Sequence, residues 1–489
     1  MDLTDRLARG VKAMFVARAV EIGANAVLLI LLTRYLLTPS QYGLLYFALS
    51  VLAVVGLFGS LGIGRSTARY VTEYDQQDPG QLPHLLRWTI LLLAGLTLTG
   101  SVVLVLASGW VSAVLGEPAL APFLVFGTVY IVGRSFWGYL QAIFQGFNRV
   151  TWSAAMRAMN GSIRVVLATA LVLAGYGALG ALVGYAVAFA LTALAGAVVL
   201  YWRFVRRIDA ADEPERGLFG RVARYSVPTA ATQASIVLDS KVDTILVGAL
   251  MNPAAVGFYT LAAQVADIVI VPAESLGFAI SPALGEQKAE ERPDRAARIY
   301  ESSLEYVLLL YVPAAVGLVL VAEPAVLTIF GQPYAGAVPA LQVFSGLVVA
   351  RGVHKVTGDG LDFLGLARVR AVARGASATA NFGLNLLLIP VYGVVGAAAA
   401  TVVTFSAYTA VNVYYIHREL SLDVGRLARS AARTLGVTAV MAGAVFLVMP
   451  YVTSLPTLVG AVALGASIWA VLAVAIGELD PGRIRALLS

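Results

Sequence analysis

The stretch Val227–Leu250, VPTAATQASIVLDSKVDTILVGAL, decides how the chain is read. It is apolar over enough residues to cross a bilayer, which takes roughly 20. Its second half nevertheless carries Asp239, Lys241 and Asp243. A charge near the bilayer centre costs at least about 2.5 kcal/mol on insertion scales, so such groups pair or face a watery cavity. Asp239 and Asp243, four residues apart, share one helical face, and Lys241 can bend toward either. These residues alone leave two readings open. One is a self-neutralised cluster that locks helix packing; the other is a polar cavity inside a membrane transporter.

The rest of the chain favours the transporter. Of 489 residues, 59% are hydrophobic and 13% charged, with mean hydropathy +0.82. Soluble proteins carry about 25% charged residues, so an all-α polytopic membrane protein is expected. The net charge of +6 would suggest nucleic acid in a soluble domain; here neither a nucleic acid nor a nucleotide partner is expected. There are no cysteines, which excludes disulfides, thiol catalysis and thiolate metal sites. The opening MDLTDRLARGVKAMF lacks an apolar core followed by a small-residue cleavage site, so the first apolar segment is expected to stay as a helix.

Apolar segments of spanning length fall at 13–36, 41–64, 85–107, 119–141, 158–176, 178–202, 226–250, 255–281, 302–322, 337–356, 373–390, 394–416, 432–450 and 456–477. They predict about 14 transmembrane helices. Nearly all the basic residues then fall on alternate loops of one side, leaving Arg34 alone on the other. Lys and Arg are retained on the cytoplasmic side, so both termini are expected in the cytoplasm of a multi-pass protein of the cell membrane.

The chain also repeats. Pro39-Ser-Gln-Tyr-Gly43 returns as Pro253-Ala-Ala-Val-Gly257, and Tyr176-Gly-Ala-Leu-Gly-Ala181 as Tyr392-Gly-Val-Val-Gly-Ala397. Arg134 returns as Arg351 and Gly146-Phe-Asn-Arg149 as Gly365-Leu-Ala-Arg368. Four matches in order at nearly constant offset predict two six-helix repeats in parallel orientation, plus two C-terminal helices. The expected domains are 1–204 and 225–418, joined by a solvated cytoplasmic linker 205–224, with 419–489 as the added pair. Transporters of this plan bind substrate near the midplane and rock one repeat against the other.

Five basic residues lie inside predicted helices: Arg18, Arg134, Arg164, Lys241 and Arg351. Lys355 joins Arg351 and His354 on one face of the tenth helix. A cavity collecting these cations complements an anion, and phosphate suits Arg and Lys best. The substrate-binding set expected is Arg18, Arg134, Arg164, Lys241, Arg351 and Lys355. Glu21, Asn25, Asp239, Asp243, Asp267 and Glu274 are the polar cavity or coupling candidates. Asp267 and Glu274 either bind a coupling H+ or Na+ or pair with the arginines. No lysine is followed by Ser or Thr as a nucleotide-binding loop requires, and the three histidines make no metal constellation. No cofactor and no metal are expected.

On these residues the chain resembles the oligosaccharide flippase, or polysaccharide biosynthesis protein, family, within the superfamily of multidrug/toxin exporters and lipid II flippases. The resemblance is carried by the fourteen-helix plan, Leu36-Leu-Thr-Pro-Ser-Gln-Tyr-Gly43, Gln145-Gly-Phe-Asn-Arg149, Tyr225-Ser-Val-Pro228 and Val242-Asp-Thr-Ile-Leu-Val-Gly248 with Gly257-Phe-Tyr259. It implies two six-helix lobes that move a polyprenyl-(pyro)phosphate-linked oligosaccharide from the cytoplasmic to the outer leaflet by alternating access, without enzymatic chemistry. A cation-coupled multidrug exporter is the alternative, kept open by Glu21, Asp239 and Asp243. A membrane glycosyltransferase ranks last, because its acidic residues would need a sizeable outer loop and the predicted ones are short.

Overall fold

The computed structural model describes residues 3–270 and 293–478. Among these the chain is helical almost throughout, with no strand. That is the outcome an apolar chain is driven to in lipid, where every backbone N–H and C=O must be satisfied within its own segment. The helices are α1 (Leu3–Ile30, continued by a wider turn to Leu36), α2 (Pro39–Ser60), α3 (Ile63–Gln77), α4 (Leu82–Val114), α5 (Leu120–Gly146), α6 (Val150–Leu171) and α7 (Gly177–Arg203). There follow α8 (Leu218–Leu250), α9 (Pro253–Ile270), α10 (Pro293–Ala325), α11 (Val338–Phe363), α12 (Ala367–Leu420), α13 (Val424–Val448) and α14 (Leu455–Ala475).

Eleven described stretches are long and apolar enough to span a membrane. The larger number expected from sequence counts 150–207 and 367–420 as two helices each, and includes α8, whose Asp239, Lys241 and Asp243 take it out of the apolar class. Both long stretches do double back. Gly177 (φ 52°, ψ −143°) and Gly393 (φ 58°, ψ −135°) hold nearly the same non-helical conformation, in a region open essentially to glycine alone. Beyond each turn the arms close up: a Cβ on Gly180 would stand 3.0 Å from the Leu171 carbonyl oxygen, and one on Gly396 would collide with the Leu388 carbonyl.

The chain forms two compact units, Met1–Gly257 and Phe258–Ser489. In the first, α5 is central, packed against α2, α3, α4 and α7. Small residues let the backbones approach, as transmembrane packing requires: a Cβ on Gly133 would lie 3.0 Å from the amide of Ala190, and one on Gly184 would lie 2.6 Å from that of Ala168. In the second unit α11 packs on α10 and α12, and α13 and α14 dock on α10. Arg426 forks onto Glu305 through two 2.8 Å bonds, Glu301 accepts the Asp423 amide at 2.7 Å, and the Trp469 indole donates to the Leu309 carbonyl at 2.8 Å.

Two features go beyond the sequence reading. An amphipathic helix, α3, occupies most of the connection between the second and third apolar segments. Its polar face hid it from a hydropathy window, and Leu61 and Gly62, both left-handed, break the chain before it. The linker is largely exposed and is also tied to the α3–α4 corner. Ala211 donates to the Gly80 carbonyl at 3.0 Å, the His84 ring meets the Ala211 carbonyl at 2.7 Å, and the Glu215 amide donates to Gln81 at 2.8 Å. The Glu215 carboxylate takes the Tyr74 hydroxyl proton in a hydrogen bond and lies 2.8 Å from Arg221.

Candidate functional site

Polar groups gather within each unit separately. In the first unit the seam between α1 and α6 collects most of them. Arg18, Glu21 and Asn25 recur at three and four residues on α1, and Arg157 and Arg164, seven apart, share a face of α6. Glu21 Oε2 accepts from Arg18 and from Arg157, each at 3.2 Å. Arg157 also donates to Gln141 of α5 at 3.3 Å. Arg164 donates to the Asn25 side-chain carbonyl and stands 5.2 Å from the Tyr185 ring centre. Two guanidiniums thus share one carboxylate, Glu21, and a third, Arg164, lies on the same seam against Asn25.

Arg134 sits half-way along α5. It donates to the Tyr130 hydroxyl at 2.6 Å and lies 5.7 Å from that ring. Tyr130 is buried, yet Arg134 is exposed.

Asp239, Lys241 and Asp243 lie on α8, which packs on α2 and α3. Asp243 is buried, the other two are half-buried, and each has an interaction partner. They are placed on a different seam from the α1–α6 group.

In the second unit Arg351 of α11 pairs with Asp267 of α9. This is the pairing that the sequence left as one of two roles for that carboxylate. Glu274 lies outside the described residues. Around Arg351, α11 and the two arms of α12 build a cationic and aromatic cluster. Arg351 stands 5.9 Å from the Phe405 ring; Arg374 stands 5.5 Å from Phe405 and 5.1 Å from Tyr408. His354 packs on the same two rings at 5.3 and 5.0 Å, with Lys355 beside it in the chain, and Arg370 donates to the Gly358 carbonyl at 2.9 Å. The first unit has an edge-to-face pair of the same shape, Trp137 on Phe189 at 5.2 Å, in the positions the repeat offset assigns to His354 and Phe405.

Sequence reasoning missed Arg157, Arg370 and Arg374, which were counted among the loop cations. Their signal was spacing: Arg157 with Arg164, and Arg370 with Arg374, each fall on one helical face. The aromatic partners Tyr130, Tyr185, Phe405 and Tyr408 had no distinguishing signal among the many aromatics of an apolar chain. No group of His, Cys, Asp and Glu among the described residues could hold a metal ion.

Comparisons with known proteins agree with this architecture. The polysaccharide biosynthesis protein model matches residues 7–287 and the MatE model matches 228–391. The chain is 24% identical to the lipopolysaccharide biosynthesis protein WzxC of Escherichia coli over 95% of its own length and 89% of the relative's. It is also 24% identical to the probable low-salt glycan biosynthesis flippase Agl15 of Haloferax volcanii, over 47% of this chain and 49% of that protein. Among solved structures, the inward closed lipid II flippase MurJ superposes with TM-score 0.75 at 12% identity, covering 99% of this chain and 100% of that one. An inward-facing multidrug resistance MATE transporter gives 0.67 at 16% identity over 83% and 98%. Apolar spanning helices, intramembrane arginines and a family model covering more than half of its length together make this chain a multi-pass membrane protein that belongs to the polysaccharide biosynthesis protein family of flippases and transporters.

Proposed function

We propose that the protein moves a polyprenyl-(pyro)phosphate-linked oligosaccharide from the cytoplasmic to the outer leaflet by alternating access. The observation that carries this reading is the surplus of guanidinium over carboxylate on the α1–α6 seam, together with Arg134 standing open half-way along α5. Arginine forks suit phosphate oxygens, and their charge is strengthened where water is scarce. On this reading Arg18, Arg134, Arg164, Lys241, Arg351 and Lys355 receive the anionic head, while the hydrocarbon tail stays in lipid. WzxC and MurJ, by their names, serve lipopolysaccharide biosynthesis and lipid II, and lend the substrate class.

The same proposal takes the chain as fourteen helices in two parallel six-helix repeats, 1–204 and 225–418, with linker 205–224, helices thirteen and fourteen in 419–489, and both termini cytoplasmic. Supporting it are the matched turns at Gly177 and Gly393 and the matched aromatic pairs. Coupling to H+ or Na+ would fall to carboxylates such as Asp239 and Asp243.

A cation-coupled multidrug exporter is the second reading, favoured by the MatE match over 228–391. It would use carboxylates open to a cation, whereas Glu21 and Asp267 are both engaged by arginine. Proteoliposomes holding a fluorescent polyprenyl-pyrophosphate sugar separate the two. Wild type is expected to move the lipid, and Arg134→Ala, Arg164→Ala and Arg351→Ala to slow it at least tenfold with the folded fraction unchanged. Exchange of a cationic dye for protons, with the lipid immobile, overturns the proposal.

A further inference from the structure

In the first unit α4 and α7 pack on α5 from either side and leave a groove between them of about 800 Å³. It is floored by small residues, Gly133, Ala190, Ala193 and Ala197, and walled by apolar ones such as Leu98, Phe136 and Leu194. Leu98 and Leu194 are exposed, so the groove opens sideways. Along α4 it runs from Pro83 to Ser101, about 27 Å at 1.5 Å per residue. One leaflet of hydrocarbon is about 15 Å deep, half of the ~30 Å core.

One end of the groove is basic. Arg87 lines it, is exposed, and makes no hydrogen bond or ion pair among the described residues. Tyr201 and Val205 line the same end, where Arg203 finishes α7 and exposed Arg206 and Arg207 follow, Arg206 stacked 4.6 Å over Trp202. The other end holds the hydroxyls of Ser101 and Thr128 and no charge.

We infer that this groove is a binding site for an anionic phospholipid, with one acyl chain along α5 and the phosphate at Arg87. A long apolar slot with cations at one mouth only matches a molecule with one charged end and one hydrocarbon tail. The site is separate from the arginines assigned to the transported head, and the inference stands whether or not the proposed transport is correct.

The test uses the purified full chain in detergent and native mass spectrometry with phosphatidylglycerol or phosphatidylcholine of identical chains. Wild type is expected to retain phosphatidylglycerol about fivefold better, the ratio for one cation worth ~1 kcal/mol near a lipid surface. Arg87→Gln should abolish the preference, and Ala197→Trp, which fills the slot, should reduce retention of both lipids. As a check independent of how the variants fold, phosphatidylglycerol with a photoreactive mid-chain group should label wild-type peptides carrying Phe136 and Leu194. Equal retention of the two lipids, unchanged binding to Ala197→Trp, or label placed elsewhere overturns the inference. So does displacement of phosphatidylglycerol by an equal concentration of polyprenyl phosphate, which would give the groove to a transported tail.

Discussion

At the residue scale, two carboxylates govern how the arginines are held. Glu21 serves Arg18 and Arg157 together, and Asp267 serves Arg351. Asp267 and Arg351 are 57% and 34% exposed at the side chain, so their coupling is expected to be small, about 0.5–1 kcal/mol. Thermal unfolding of wild type, Asp267→Asn, Arg351→Gln and the double variant should give a cycle of that size, with the double variant more stable than the sum of the single losses. A third carboxylate acts in the linker. Glu215 is held below the usual carboxylate range, first by the Tyr74 hydroxyl and then by Arg221, and Tyr74 is pushed up by its burial and by Glu215. A carboxylate lowered on folding stabilises fully above its unfolded value of about 4.3, and that contribution is lost as pH falls through the folded value. The chain has no cysteine, so a spin label on Ala210→Cys reads the linker alone. Its mobility should rise only below the ordinary carboxylate range in wild type, and should already be high at pH 7 when Glu215→Gln is added.

At the scale of elements, the two hairpins were readable because their turns need glycine and the flanking runs are plainly apolar. Gly177→Ala and Gly393→Ala force a side chain into a region such residues avoid, so each is expected to destabilise by about 1–3 kcal/mol in denaturant unfolding. The two sites lie in different units, so their costs should add. The α3 helix was not readable for the opposite reason. Its mixed composition matches an exposed loop in any hydropathy window, and it is fixed by partners distant in sequence, such as the 2.9 Å bond from Ser66 to the Val222 carbonyl. The docking of α13 on α10 is of the same kind: Arg426 and Glu305 lie more than a hundred residues apart, and nothing local marks them as a pair.

At the scale of the molecule, two stretches with matching sequence, 39–43 and 253–257, meet inside the first unit. A Cβ on Gly43 would collide with the Pro253 carbonyl, and one on Gly257 would collide with the Pro39 carbonyl. The two close approaches are reciprocal. Gly43→Leu should part the loops. A short cross-linker between Ser40→Cys and Ala254→Cys would then react several-fold less. The sequence by itself determined the membrane class, the apolar segments and the family, because hydropathy, charge placement and glycine turns are written in consecutive residues. It also picked out Arg18, Arg134, Arg164 and Arg351, since a cation inside an apolar run is conspicuous. Only the tertiary structure decided which partners those cations take, that Arg157, Arg370 and Arg374 join them, and that the linker folds back on α3. Those outcomes depend on which helix faces come together, and packing between distant segments is fixed by shape and small-residue approach rather than by any local pattern.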